Sequence, residues 1–156
     1  MPNISNIISS HNASVLNKQV PPTRLCNCND KPNCPLDGKC LEDAIIYNAC
    51  VTTENSEKHY IGLTEPDFKH RYANHLKSIR WEIYKKESEL SIYIWQLKNS
   101  NQDYSIKWTK LKNSKKLSGG ANVCPLCNDE KLLILNADKS SLLNKRDEIV
   151  SKCRHI

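Results

Sequence analysis

Several groups of side chains in this chain have the types and spacing to do chemistry. Cys26, Cys28, Cys34 and Cys40 lie within fifteen residues, with Pro35 and Gly38 as turn formers between them. Four thiolates can close a tetrahedral zinc site, and a loop this short has no core of its own without one. The same spacing would serve free thiols, or disulfides in a secreted chain. Cys124 and Cys127 form a second, tight thiol pair, which Cys153 and His155 complete as a Cys3His zinc set. Cys50 has no second thiol near it in sequence and reads as a small buried apolar residue. The last group is Tyr60-Ile61-Gly62 followed by Arg71 and His75, a cation and an imidazole four residues apart beside a strand that ends in glycine.

These residues need elements to hold them. The stretch 44–53 is β-rich, a polar turn follows, and 58–64 pairs back as a hairpin, so Tyr47 and Tyr60 lie on neighbouring strands. The spacing predicts a helix from about Asp67 to Tyr84. On a wheel of about 100° per residue, Tyr72, Leu76, Ile79 and Ile83 fall roughly 20–80° from Phe68. Arg71 and His75, at about 300° and 340°, border that apolar stripe. A second helix, capped by Ser88, runs from Glu89 to about Lys98 with Leu90, Ile94 and Leu97 inward. Alternation over 104–111 makes a third strand with Lys107 on its polar face. A helix from about Asn128 to Leu135 carries Glu130 in its first turn. Another, capped around Asp138-Ser141, spans Leu142 to about Lys152.

Size and charge bound the class. At 156 residues the chain suits one domain with appendages, and no run of about 18 apolar residues could span a membrane. The first residues lack the pattern of a signal peptide, so the eight cysteines are expected in a reducing, intracellular compartment. Residues 1–23, rich in Asn and Ser and ending in Val20-Pro21-Pro22-Thr23, read as a flexible lead-in from something upstream. A cysteine-rich segment at 24–42 and a main domain at 43–156 follow. Between 66 and 116 there are 12 Lys or Arg against 5 Asp or Glu, which holds all of the net charge of +6. Trp81, Tyr84, Tyr93, Trp95, Tyr104 and Trp108 interleave with it, a pattern suited to a polyanion as well as to a solvated basic face.

In order and spacing, Ile45-Ile46-Tyr47, a gap of twelve, Tyr60-Ile61-Gly62, Phe68-Lys69-x-Arg71-x3-His75, Glu130 and Leu143-Asn144 resemble the GIY-YIG nuclease superfamily. The likeness covers about 44–146, and Ile45 stands where the name-giving glycine would be. With its leading cysteine cluster and the Cys-x2-Cys-x2-Glu-Lys-Leu-Leu-Ile-Leu run, the chain is similar to the endonuclease domain of Penelope-like retroelements. The resemblance implies an α+β fold: a small three-stranded antiparallel sheet flanked by helices, with an N-terminal zinc knuckle and a helical Cys/His tail.

It also implies hydrolysis of a DNA phosphodiester, with Mg²⁺ or Mn²⁺ held by Glu130. Arg71 would stabilise charge on the phosphate, and Tyr47 or Tyr60 would activate water once a neighbouring cation, the metal or Lys69 lowered its pKa. His75 would orient a tyrosine or relay a proton, and Asn144 would tether the glutamate's helix. Zinc would be structural, DNA the substrate, a reverse transcriptase the upstream neighbour, and the nucleus the place of action. Singly, each residue has a plainer reading: packing for the tyrosines, a helix border for Arg71 and His75, dipole complementation for Glu130, a surface position for Asn144. The competing function is a non-catalytic, zinc-dependent nucleic-acid-binding module. The cysteine clusters would equally suit docking to a protein.

Overall fold

The computed structural model describes residues 24–145 together with Cys153. It is an α+β arrangement with three strands, β1 (Ile45–Thr52), β2 (Glu57–Thr64) and β3 (Ser105–Asn113), and three helices, α1 (Phe68–Arg80), α2 (Glu89–Asn99) and α3 (Pro125–Asn136). All pairings are antiparallel and the strand order is β2-β1-β3, so β1 is central. No helix among the described residues is long and apolar enough to cross a membrane.

Strand alternation sorts the side chains onto two faces. Ile45, Tyr47, Ala49 and Val51 of β1, Tyr60 of β2 and Trp108 of β3 face one core, shared with Phe68, Leu90, Ile94 and Leu97 from α1 and α2. Ile46 and Ile61 point the other way, against Leu126, Cys127 and Ile134 of α3. The register pairs Tyr47 with Gly62 and Ala49 with Tyr60, which places both tyrosines on the α1 side, one diagonal step apart. Leu36 of the cysteine-rich segment joins the same core.

α1 is anchored at both ends by other parts of the chain. Its first N–H groups, which no helix can satisfy internally, donate to outside oxygens: Phe68 to the Glu42 carbonyl (2.9 Å), Lys69 to the Cys40 carbonyl (2.7 Å) and His70 to the Asp67 side chain (2.9 Å). At the other end Trp95 Nε1 of α2 donates to the Ser78 carbonyl (2.9 Å) and Lys98 Nζ to that of Ile79 (2.5 Å). The helix stops at Arg80, Trp81 turns extended, and Glu82–Tyr84 form a separate 3₁₀ turn. The expected continuation to Tyr84 is therefore not formed.

The buried face of α1 is also rotated from the expected stripe. Phe68, His75 and Ser78 are buried, whereas Leu76 is 41 % and Ile83 84 % exposed. A wheel ranks side chains by apolarity. Here the polar ones go inside because they are paired: His75 with the Tyr47 phenol, and Ser78 Oγ with the His75 carbonyl (2.9 Å).

α2 follows expectation, with Ser88 and Ser91 forming a reciprocal cap. α3 begins earlier than expected, with Pro125 in the first turn, where its missing N–H costs nothing. The expected helix from Leu142 is absent over the described residues 142–145. That segment lies along the outer edge of β2 instead: His59 N–H donates to the Ser141 carbonyl (2.8 Å), and Leu143 N–H to that of His59 (2.7 Å). An open strand edge thereby gains partners.

Candidate functional site

At the centre of the α1-facing core, three side chains form one hydrogen-bonded unit. Arg71 Nε donates to Tyr47 Oη at 3.1 Å, and Tyr47 Oη lies 2.7 Å from His75 Nε2. With an arginine donating to its oxygen, the phenol has its own proton to give, and His75 Nε2 accepts it. Arg71 also faces the Tyr60 phenol. Tyr47 is fully buried, His75 3 % exposed and Tyr60 7 %. The His75 ring stacks at a tilt against Trp108, with centroids 5.2 Å apart.

Gly62 makes this arrangement possible. A Cβ there would sit 2.5 Å from Tyr47 Oη, 2.7 Å from its Cζ and 3.0 Å from Tyr60 Cε1. The phenol of Tyr47 lies directly over the glycine Cα, so the residue in that register position must lack a side chain.

Burial sets the protonation states. It pushes the Tyr47 phenol up to about 12, with Arg71 opposing and the Glu130 carboxylate adding to the rise. Burial, aided by the Arg71 charge, drops His75 to about 3, so the imidazole is neutral. The expectation that the surroundings lower the Tyr47 pKa is thus not met by the protein's own groups: desolvation outweighs the arginine. Arg71 and His75 open onto a cleft of about 210 Å³, lined also by Asn74, Lys77, Ser78, Tyr84, Glu87 and Ser88.

Glu130 lies half-buried on α3, within electrostatic reach of the Tyr47 phenol. Because α3 starts at Pro125, Glu130 is in its second turn and not its first, so dipole complementation does not explain it. The Asn144 amide pairs with the main chain of β2 at both ends: Ile61 N–H donates to Oδ1 (2.8 Å) and Nδ2 donates to the Ile61 carbonyl (2.8 Å). This fastens the chain that leaves α3 to the strand between Tyr60 and Gly62.

The cysteine clusters have the geometry of metal sites. Sγ atoms of Cys26 and Cys34 are 3.7 Å apart, and those of Cys28 and Cys40, and of Cys40 and Cys26, are 3.6 Å apart. Zn–S bonds of about 2.3 Å in a tetrahedron require S···S separations of about 3.8 Å, whereas a disulfide needs about 2 Å. All four sulfurs lie within 4.8 Å of one another, so the set can hold zinc. Gly38, at φ +82°, makes the left-handed turn between the third and fourth thiols. Cys34 is raised by burial, but N–H groups of Leu36 and Gly38 and the neighbouring thiols bring it down to about 7, which favours the ligating thiolate.

Cys124, Cys127 and Cys153 converge likewise within 4.8 Å, Cys127 and Cys153 at 3.3 Å. The proposed fourth ligand, His155, lies outside the described residues. Cys50 is not the buried apolar residue expected. It is half-exposed and meets Glu57 and His59 on the sheet face away from α1. Pairing the hairpin residue by residue would have exposed this, since Cys50 stands directly opposite His59.

The positive block is partly neutralised by acids outside it, through Lys110 with Glu42 (2.6 Å), Lys112 with Asp129 (2.7 Å) and Lys116 with Asp43 (2.7 Å). In comparisons with known proteins, no family model, curated protein or solved structure matches the chain.

Proposed function

We propose that the chain is a Mg²⁺- or Mn²⁺-dependent DNA endonuclease of the GIY-YIG type that nicks phosphodiester bonds. Its place is the endonuclease domain of a Penelope-like retroelement, acting on nuclear DNA beside a reverse transcriptase. The observation that carries this reading is the Arg71–Tyr47–His75 unit, buried behind a cleft, with Tyr60 against the guanidinium and Glu130 in electrostatic reach. A packing role for these residues would not need a paired guanidinium, imidazole and two phenols at one point.

The residues divide the work as follows. Arg71 has its Nε committed to Tyr47, and has Tyr60 against the same guanidinium, which fixes the guanidinium plane and gives its remaining N–H groups the task of gripping the oxygens of a phosphate in the cleft. Tyr47 is a positioning residue: it is fully buried, and its phenol already serves Arg71 and His75. Tyr60, on the same sheet face and against the same guanidinium, is the tyrosine assigned, once ionised to the phenolate, to take the proton of the attacking water. Neutral His75 accepts from Tyr47 and keeps that proton off the arginine side. Asn144 holds the chain after α3 to β2.

Glu130 offers a single hard oxygen donor, which fits an ion that keeps most of its waters and takes the rest of its shell from phosphate oxygens. Such an ion, when bound there, would polarise the phosphate and stabilise the leaving oxygen. The cysteine knuckle holds the start of α1, since the carbonyls of Cys40 and Glu42 cap its first N–H groups.

The test is conversion of supercoiled plasmid to nicked circles by purified protein with Mg²⁺. Tyr60→Phe should abolish nicking with little change in stability, while Tyr47→Phe should lower both. Full nicking by Tyr60→Phe would remove it from the chemistry.

A further inference from the structure

The face of the sheet away from α1 carries a third group of metal-binding side chains, unconnected with either cysteine cluster. We propose that Cys50, Glu57 and His59 form a site for a Zn²⁺-class cation, with one coordination position left to water.

Two register positions on one sheet face build it. Cys50 on β1 is directly opposite His59 on β2, and Glu57 precedes His59 by two residues on the same face. Cys Sγ, a ring nitrogen and a carboxylate oxygen all lie within 4.8 Å of one another, and His59 Nε2 is 3.2 Å from Glu57 Oε1. A thiolate, an imidazole and a carboxylate make a mixed donor set suited to Zn²⁺ or Co²⁺ and poorly suited to Mg²⁺. Three protein ligands leave the fourth tetrahedral position open, unlike the four-thiolate knuckle.

The surroundings favour a metal-binding imidazole. The Asn48 side chain lies beside the ring, with Nδ2 3.2 Å from His59 Nδ1, while its own Oδ1 is buried without a hydrogen-bond partner among the described residues. Turning the amide end for end, an assignment that geometry alone leaves open, sets Oδ1 against Nδ1. The imidazole proton then sits on Nδ1 and is given to that oxygen. Oδ1 then has a donor, Nδ2 takes the buried position that Oδ1 leaves, and the Nε2 lone pair faces Glu57 and Cys50, the usual outer-shell arrangement of a metal-binding histidine.

The ligands are also pre-positioned. Cys50 and His59 sit in a paired antiparallel ladder, and the His59 main chain is held on its outer side by Ser141 and Leu143. Lys107 stands directly opposite Cys50 on β3. A cation here would staple β1 to β2 beside the segment that leads to Asn144.

The experiment counts metal on the intact chain. Purified protein that keeps its tightly held zinc is titrated with Co²⁺, and total metal per chain (retained zinc plus cobalt) is measured by elemental analysis. Wild type should bind one equivalent more than Cys50→Ser or His59→Gln. Glu57→Gln, at an exposed position where folding is not at risk, should keep the site with affinity weakened tenfold or more. Equal totals in wild type, Cys50→Ser and His59→Gln, or unchanged cobalt affinity in Glu57→Gln, would overturn the proposal.

Discussion

Replacing Gly62 by alanine probes the site from the main chain, pressing on Tyr47 most closely and on the edge of the Tyr60 ring at 3.0 Å. The added Cβ would meet Tyr47 Oη at 2.5 Å and Cζ at 2.7 Å. Ordinary contact begins near 3.4 Å, so something must move by close to 1 Å. The phenol cannot simply swing away: it is fully buried, with Phe68 edge-on at 5.1 Å and Trp108 tilted at 5.9 Å between centroids. Overpacking of this kind costs about 1–3 kcal/mol. If the phenol shifts, its hydrogen bonds to Arg71 and His75 weaken, at about 0.5–1.5 kcal/mol each. The expected destabilisation is therefore about 2–6 kcal/mol, read as a lower urea midpoint at unchanged m value. Nicking should fall by at least tenfold at temperatures where the variant remains folded, because Arg71 loses the partner that orients it. An unfolding free energy within about 0.5 kcal/mol of wild type, together with full nicking, would refute the idea that Gly62 exists to admit the Tyr47 phenol.

Other predictions concern the same frame. His75, at about 3 in the fold against an ordinary 6.5, leaves the unfolded chain binding more protons between those values. Its contribution to stability is therefore complete above pH 6.5 and is lost as pH falls towards 3, by up to about 1.4 kcal/mol per pH unit. A urea series from pH 7.5 to 4.5 should show that slope, and His75→Gln should flatten it. Tyr47, raised to about 12, acts at the alkaline end: its contribution is intact below pH 10 and is lost as pH rises through 12. Stripping metal with a chelator, or Cys34→Ser, should lower the melting temperature and abolish nicking together, because the Cys40 and Glu42 carbonyls that cap α1 are carried by the knuckle. Loss of one zinc with nicking intact would count against that coupling. Asn144→Ala removes two hydrogen bonds to Ile61 and should cost about 1–3 kcal/mol in urea unfolding without changing the zinc count.

Much of this frame was legible in the sequence, and the exceptions share a cause. The β1–β2 hairpin, β3 and the Ser88-capped α2 follow from local alternation, turn residues and caps, signals carried within a few residues. The buried face of α1 does not, because no wheel can foresee that His75 would find the Tyr47 phenol across 28 residues. Pro125 was a start signal for α3 within the sequence, and reading it would have moved Glu130 out of the first turn. Residues 142–145 have helical spacing but follow the edge of β2, where main-chain donors and acceptors offer more than an isolated helix turn. Tyr47, Arg71 and His75 were picked out by type and spacing, yet their mutual contacts, and the upward shift of Tyr47, depend on burial that spacing does not encode.

The central claim is that Arg71 and Glu130 serve one phosphate. Its most direct test is the initial rate of plasmid nicking in Mg²⁺ for wild type, Arg71→Ala and Glu130→Ala, each checked for an unchanged zinc count. The account predicts nicked circles from wild type and none above background from either variant. Nicking at the wild-type rate by both variants, or no cleavage by wild type with either Mg²⁺ or Mn²⁺ despite salt-sensitive DNA binding, would contradict it.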